Sequence, residues 1–577
     1  MSQIDWIVLS VTLFCIIVYG LYKSRTTKNM DGYFLCNRSM PWYLILLSIM
    51  GTQASAITFL SAPGQAFTDG MRFVQYYFGL PIAMVILCIT FVPLYSKLKV
   101  FTAYEFLEQR FDLKTRTFTS SLFLLSRGLS TGVSIYAPSI ILSSLFGWDI
   151  FWTNIFMGGL LIIYTVSGGA KAVAYTQQLQ LVIIFIGMFV TGYWMIHLLP
   201  SGMGFMDALK ISGNGGKMNV ITTGFTNKGF DWKDKYNIIS GVIGGFFLAL
   251  SYFGTDQSQV GRYLTAKDDK ASKTGLLMNG LIKVPMQFFI LLLGALLFTV
   301  YQFKSQPIFF NAVQQQKLLN SNKKDSAIAL EHQYAIVNQQ KQNAVANWKN
   351  DETNSKQELK QLNAKSDALR VQYKALIKSN DVKGDDNDTN YIFLRFVIDY
   401  LPKGLVGLLI AIIFLAAWGS IAAALNALAS CSVVDFHLRF KKAHLHPDKS
   451  DEEEEKHYHI SRYYTLAWGI FSVIVAEFAS GIGSLIEVVN IMGSLFYGVI
   501  LGIFLVAFYL KNIKSDAVFM AAIVGELIVI TVFFLDKYNI IGLGFLWLNV
   551  IGALTVVVLS WIIQKIIGTR TSLPAGR

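Results

Sequence analysis

Apolar runs of about eighteen or more residues recur along almost the whole 577-residue chain. Each run is long enough to cross a hydrocarbon layer roughly 30 Å thick as a helix. A membrane-spanning β-barrel would instead show segments of about ten residues with alternating hydrophobicity. Charged residues make up only 15% of the chain, against about 25% in soluble domains. The sequence therefore predicts an all-α polytopic membrane protein.

The hydropathy pattern predicts about thirteen transmembrane helices. They cover 4–22, 41–66, 72–96, 117–146, 149–167, 173–199, 235–259, 275–303, 402–434, 461–480, 484–510, 516–535 and 542–567. The first segment has no basic start and no small-residue cleavage pattern, so we expect a span and not a signal peptide. Lysine and arginine concentrate in alternate short loops, which places the N-terminus outside and the C-terminus in the cytoplasm. We expect an integral protein of the cell (inner) membrane.

The net charge of +13 follows from these basic inner loops, so no nucleic-acid partner is expected beside the lipid bilayer. A membrane enzyme would need paired His/Asp groups or an activated nucleophile, and the sequence shows no such arrangement. We therefore predict that the chain is not an enzyme. A membrane sensor on a transporter fold is a minor alternative that would need a signalling domain, and none is recognisable after residue 568.

The chain divides into six predicted segments. They are a first helix with a basic loop (1–40), a first five-helix repeat (41–200), an outer loop with the start of a second repeat (201–303), a polar insertion (304–390), the rest of that repeat (391–515) and two final helices with a tail (516–577). In the insertion, Leu359, Leu362, Leu369, Tyr373 and Leu376 recur at helical spacing. It is predicted to be an extracytoplasmic helical hairpin, either a solvated insertion without a function of its own or an arm that docks a partner.

Two predicted spans contain interruptions. Small and polar residues fill 51–56 of the second span, and glycines followed by Ser, Tyr and Asp fill 241–257 of the seventh. Local unwinding there would free backbone carbonyls for a cation and amides for a polar solute. Lys283 lies about two turns inside its span with no carboxylate within one turn, so we expect it to face a polar cavity. Arg127, Glu487 and Glu526 are further charges inside or near the ends of spans.

Small residues also crowd 416–426. Tight helix packing explains such a pattern. So does a sodium cage in which the Ala416 carbonyl and the Ser420 hydroxyl face the first interrupted helix. Composition does not decide between these two interpretations.

Three motifs are more specific. They are Phe91–Tyr95 followed by Thr102–Phe111, the Gly-Gly segment Ser167–Thr176, and Thr255–Lys267. Together they resemble the sodium/solute symporter family, which includes the sodium/glucose cotransporters and the iodide and multivitamin transporters. The resemblance runs through most of 31–300 and 391–515.

This resemblance implies a LeuT-like core of two inverted five-helix repeats, sodium-driven symport by alternating access, and no cofactor besides the coupling ion. By position, the carbonyls of Gly51 and Ala54 would bind sodium with Ala416 and Ser420. The family usually has a second hydroxyl where this chain has Gly419, and an aspartate on a secondary cation path where it has Gln177. These departures imply weaker cation binding or one ion per cycle, and a proton is the rival coupling ion.

The sugar-transporting branch supplies two matches for the solute site, Tyr252 against the sugar ring and Lys283 to its hydroxyls. Asn490 falls near a sugar-binding amide position. Gln53, Thr58 and Tyr77 lie at further solute positions but differ from the sugar pattern. The expected solute is a small sugar or sugar-like polyol, and an organic anion or vitamin is the alternative.

Overall fold

The computed structural model describes residues 1–24, 30–381, 385–441, 451–479 and 484–571. Helices dominate these residues, and β structure within them is limited to an antiparallel hairpin of β1 (Phe225–Thr226) and β2 (Gly229–Phe230). The α-helices are α1 (Gln3–Ser24), α2 (Met30–Leu35), α3 (Trp42–Gln53), α4 (Ala56–Asp69), α5 (Leu80–Ile86), α6 (Val92–Leu98), α7 (Glu105–Arg110), α8 (Leu113–Phe146), α9 (Ile150–His197), α10 (Phe205–Asn214), α11 (Gly245–Thr255), α12 (Gln257–Tyr263), α13 (Asp269–Phe303), α14 (Ala312–Leu319), α15 (Lys324–Ala346), α16 (Glu352–Asn380), α17 (Ile392–Tyr400), α18 (Leu405–Cys431), α19 (Leu438–Phe440), α20 (Asp451–Ala476), α21 (Leu485–Tyr509), α22 (Ser515–Lys537) and α23 (Leu546–Thr571). Short 3₁₀ turns (Cys36–Arg38, Met71–Tyr77, Thr389–Tyr391) and π turns (Leu87–Phe91, Ser240–Gly244, Ser432–His437) join some of them.

Helices cover every span that the hydropathy pattern predicts, which confirms the all-α membrane fold. Nine helices of the described residues are long and apolar enough to cross a bilayer, or ten if α3 and α4 form one span. The predicted spans 149–167 and 173–199 correspond to the two parts of α9, which meet at a kink where Gly169 leaves the helical conformation (φ 58°, ψ −170°). The ring of Tyr33 packs against Gly169 so closely that an added Cβ would lie 2.7 Å from it. The exact span count, the domain boundaries and the orientation of the termini stay predictions.

The first predicted interruption is present. Helix α3 ends at Gln53, α4 begins at Ala56, and their axes differ by 60°. Between them Ala54 (φ −86°, ψ 74°) and Ser55 (φ −79°, ψ 174°) leave the helical conformation. Met50 O still accepts from the Ala54 amide (2.7 Å), but the carbonyls that follow it in α3 lack the amide donors that a continuing helix would supply.

The second interruption lies at one end of the predicted stretch, because an aspartate caps the following helix. Asp256 is extended (φ −78°, ψ 116°) between α11 and α12. Its Oδ1 accepts hydrogen bonds from the backbone nitrogen (2.8 Å) and the hydroxyl (2.6 Å) of Ser258. A side-chain acceptor at this position satisfies a free amide of the first turn and starts a new helix.

The polar insertion is helical, as predicted. Helices α15 and α16 pair lengthwise, and Leu359, Leu362 and Tyr373 of the predicted amphipathic stripe are buried between them and the body of the protein. Buried Asp388, near the end of the insertion, accepts a hydrogen bond from Arg370 (2.7 Å) and forms an ion pair with Lys374 (2.6 Å). This buried ionic cluster therefore ties α16 to the end of the insertion, and the insertion packs on the rest of the protein through contacts of α15 with α13 and of α16 with α10. A partner-docking role stays a prediction.

Candidate functional site

A cavity of about 90 Å³ lies beside the break between α3 and α4. Its walls come from this break, the 3₁₀ turn after α4, and the helices α8, α11 and α21. The lining residues are Gln53, Ser55, Ile57, Thr58, Tyr76, Tyr77, Arg127, Leu248, Tyr252, Ile486, Val489, Asn490 and Tyr497. The structure thus brings together Gln53, Thr58, Tyr77, Tyr252 and Asn490 from the predicted solute site, and Lys283 is not among the lining residues.

Hydrogen bonds hold the aromatic walls of the cavity in place. The Tyr76 hydroxyl donates to Asn490 Oδ1 (3.0 Å), and Gln259 Nε2 donates to the Tyr252 hydroxyl (2.7 Å). The rings of Tyr252 and Tyr497 lie 5.9 Å apart, tilted by 36°. Rigid, hydrogen-bonded aromatic rings offer flat faces and polar edges to a small polar ligand.

An ion pair closes the side of the cavity where α8, α21 and the second helix break meet. The Arg127 guanidinium binds Asp256, with Nε 3.1 Å from Oδ2, and its Nη2 donates to the Tyr497 hydroxyl (2.8 Å). That hydroxyl donates to Asp256 Oδ2 (2.6 Å). Removing one partner of such a buried pair would leave an uncompensated charge. Arg127 stood out in the sequence as an intramembrane charge, but no pattern placed it at the solute site.

The residues predicted to bind the cation lie around the same break. Helix α18 packs against both α3 and α4, and Ala416, Gly419 and Ser420 are all buried on it. The Ser420 hydroxyl donates to the carbonyls of Ala416 and Ala417, each at 3.0 Å. Its proton is therefore engaged within its own helix, and its oxygen lone pairs remain able to bind a cation.

Gln177 joins three helices beside this region. Its Oε1 accepts from the Ser48 hydroxyl (2.9 Å), and its Nε2 donates to Thr52 Oγ1 (3.2 Å) and to the Gly419 carbonyl (3.1 Å). A Cβ at Gly51 would lie 2.9 Å from the Gln177 side chain, so the glycine makes room for the amide. A neutral donor thus occupies oxygens that could otherwise hold a cation.

The side chain of Tyr77 separates Lys283 from the cavity. Lys283 is fully buried in α13, and its Nζ lies 5.6 Å above the ring of Tyr77, which lines the cavity. Among the described residues no hydrogen-bond partner exists for Lys283 Nζ or for the side-chain polar atoms of Asn279 and Gln287, one turn away on either side. The predicted orientation away from lipid is present, and a direct contact with the cavity is not.

No cluster of three or more His, Cys, Asp or Glu side chains within the described ranges could hold a metal ion. The backbone carbonyls and hydroxyls at the break are neutral oxygens, a set of ligands that suits a weakly bound monovalent cation.

Comparisons with known proteins identify the family of the chain. The sodium:solute symporter family profile matches residues 33–333 and 373–525. The chain is 25% identical over 567 residues to the sodium/sialic acid symporter SiaT of Proteus mirabilis, covering 96% of this chain and 93% of that protein. It is 23% identical over 567 residues to the sodium/sialic acid symporter NanT of Aliivibrio fischeri, covering 97% and 93%.

A solved structure of a Na⁺-coupled sialic acid symporter in a substrate-bound, outward-open state superimposes with a TM-score of 0.72. The sequences are 22% identical, and 98% of each chain is covered. This similarity confirms the LeuT-like fold. Because the family profile covers most of the sequence, the chain belongs to the sodium:solute symporter family and is a sodium-coupled membrane transporter, not an enzyme.

Proposed function

We propose that the chain takes up a sugar or sugar-like polyol that carries a carboxylate, together with sodium, by alternating access. The observation that carries the proposal is the cavity at the first helix break, which combines tyrosine faces, side-chain amides and one guanidinium. These groups match the C–H face of a sugar ring, its hydroxyls and an acidic group, respectively.

The neutral part of the cavity supports the polyol. Tyr252 and Tyr497 provide ring faces, and Gln53, Thr58 and Asn490 provide hydrogen-bonding groups around them. Amide and hydroxyl side chains both donate and accept, as sugar hydroxyls do. The buried Gln53 Oε1 has no partner among the described residues, and a solute hydroxyl would supply one.

Arg127 supports the carboxylate. A guanidinium has five N–H donors in a planar fork that matches carboxylate geometry. Asp256 and Tyr497 engage some of these donors, and the side chain keeps 11% of its surface exposed at the cavity. Two relatives that span nearly the whole chain are symporters of sialic acid, a sugar with a carboxylate.

The shared helix break supports coupling to sodium. Gln53 and Ser55 line the solute cavity, and Ala54 between them would offer its carbonyl to sodium. An ion bound there would order the backbone that the solute contacts, so each ligand would raise the affinity of the other. The Gln177 amide nitrogen donates hydrogen bonds to the neighbouring oxygens of Thr52 and Gly419. Because these oxygens are then not available to a second cation, the arrangement favours one sodium ion per cycle.

The proposal is tested by uptake into proteoliposomes with an inward sodium gradient. Sialic acid, glucuronate, glucose and a neutral polyol should be compared at equal concentration. We expect sodium-driven uptake of an acidic sugar, at least about tenfold faster than that of its neutral counterpart, as one charge-assisted contact provides. Uptake rates that are equal with and without sodium would refute sodium coupling, and stimulation by an acidic outer solution would favour the proton as coupling ion. A preference for a neutral sugar would refute the carboxylate on the solute.

A matched variant separates recognition from folding. Arg127→Gln alone would leave Asp256 charged and buried, whereas Arg127→Gln with Asp256→Asn keeps the site neutral. The double variant should fold, keep sodium-dependent stabilisation and lose its preference for acidic over neutral sugars. An unchanged preference would place the carboxylate elsewhere.

A further inference from the structure

A second cavity, of about 340 Å³, opens at the end of the helix bundle that is predicted to face the cytoplasm. It lies within the size range of small-ligand sites, roughly 300–1,000 Å³. The ends of α6 and α12, the start of α13 and the turn after α2 form its walls, and it shares no residue with the solute cavity. Its charged lining residues are Arg38, Lys99, Lys267, Asp268 and Asp269.

Backbone contacts hold charges of both signs at the rim of this inner cavity. Arg38 Nη2 donates to the carbonyls of Lys99 (2.9 Å) and Val100 (3.0 Å). Lys99 ends α6 in the left-handed conformation (φ 50°). Asp268 Oδ1 accepts from the amide of Ala271 (2.7 Å) at the start of α13. The inner cavity therefore presents three cationic and two anionic side chains before any ligand arrives.

Exposed apolar side chains flank the seam between α5, with the π turn that follows it, and α13, whose start forms a wall of the inner cavity; we call this seam the apolar groove. Helices α5 and α13 pack closely at its base, where a Cβ on Gly280 would lie 2.9 Å from Met84. Large apolar side chains stand exposed along both of its edges. They are Ile82 (52%), Val85 (46%) and Ile89 (69%) on one edge, and Leu277 (38%) and Leu281 (64%) on the other. Such residues face lipid chains in a bilayer.

We propose that the inner cavity binds the headgroup of a phospholipid that carries both a phosphate and a primary ammonium, as phosphatidylethanolamine does. Arg38, Lys99 and Lys267 bind the phosphate, since basic pockets between helix ends recognise headgroups. Asp268 and Asp269 accept hydrogen bonds from the ammonium. The acyl chains lie along the apolar groove.

The choice of headgroup follows from hydrogen-bonding chemistry. A quaternary ammonium, as in phosphatidylcholine, has no N–H to donate to the carboxylates. A glycerol headgroup, as in phosphatidylglycerol, brings no positive charge to them. The inner cavity also lies between α12, the helix that follows the second break, and the neighbouring α6 and start of α13. Headgroup binding therefore depends on the position of α12 relative to α6 and α13.

Binding is tested on the purified full-length chain in detergent, by native mass spectrometry and thermal unfolding. The three lipids compared are phosphatidylethanolamine, phosphatidylcholine and phosphatidylglycerol with identical acyl chains. Phosphatidylethanolamine should bind most tightly and raise the unfolding temperature most, because it stabilises the folded state by mass action. Equal binding of phosphatidylcholine would overturn the proposal. Equal stabilisation by free phosphoethanolamine would overturn the part played by the groove.

Matched variants locate the site. Lys99→Gln and Lys267→Gln should each weaken binding about fivefold, from roughly 1 kcal/mol per basic residue near a membrane surface. Asp269→Asn should remove the preference over phosphatidylglycerol. Lys97→Gln and Lys270→Gln change exposed neighbours that do not line the cavity, so they should bind as the native chain does. Equal weakening by the control pair would show a diffuse surface attraction and overturn the proposal.

Discussion

Replacing Ser420 with alanine should weaken sodium binding and leave the fold intact. The Ser420 proton is bound within α18, to the carbonyls of Ala416 and Ala417 at 3.0 Å each. The variant therefore loses an oxygen ligand but leaves no buried donor without a partner. A neutral oxygen facing an ion contributes roughly 1–2 kcal/mol, which corresponds to about 5- to 30-fold in affinity.

The assay is the sodium concentration that gives half-maximal initial uptake, measured in proteoliposomes at saturating solute. Ser430→Ala is the matched control, because Ser430 is buried on the same helix and its hydroxyl donates to the Ala427 carbonyl (2.9 Å). Ser420→Thr keeps the hydroxyl and should retain near-native sodium affinity.

For Ser420→Ala we expect the sodium concentration at half-maximal uptake to rise about 5- to 30-fold, as the loss of one oxygen ligand predicts. For Ser430→Ala we expect no change in that concentration. Equal shifts in both variants would show a general effect on α18 packing. An unchanged half-activation concentration, even with a lower maximal rate, would remove Ser420 from the cation site.

Three further variants test other parts of the account. Gln177→Asp should place a carboxylate beside the Gly419 carbonyl in place of the amide donor, so sodium uptake curves should become steeper and stability without sodium should fall; an unchanged Hill coefficient would contradict this. Lys283→Ala removes the cation that packs over the ring of Tyr77, which lines the cavity, so sodium-driven uptake should fall; unchanged uptake would exclude Lys283 from solute transport. In the polar insertion, burial raises the pKa of Asp385 to about 7, so the folded state binds a proton more tightly than the unfolded state between about pH 4 and 7. Stability should therefore fall as pH rises through that window, by about 4 kcal/mol, and Asp385→Asn should flatten the slope; an identical slope would refute the assignment.

Local sequence chemistry accounts for the correct part of the fold prediction. Long apolar runs require helices in lipid, because no water is present there to satisfy free backbone groups. The stretch 51–56 is rich in small and polar residues, and the structure breaks the helix at Ala54 and Ser55. The second break was predicted over a wider stretch, and the capping bonds of Asp256 set its position.

The interactions that complete the site were not predictable, because they join residues far apart in the chain. Arg127 lies on α8 and Asp256 in the break between α11 and α12, and no periodic pattern at either residue points to the other. Gln177 could be recognised as a departure from the family pattern, but its bonds to Thr52 and Gly419 depend on how three helices pack. The separation of Lys283 from the cavity by Tyr77 is likewise a property of packing.

The most direct test of a shared ion and solute site is equilibrium binding of the solute to purified protein across a range of sodium concentrations. Sodium should tighten solute binding, and the solute should tighten sodium binding by the same factor, as thermodynamic linkage requires. Ser420→Ala should shift this coupling to higher sodium. Solute affinity that is the same in sodium and in choline would contradict the claim that both ligands meet at the break between α3 and α4.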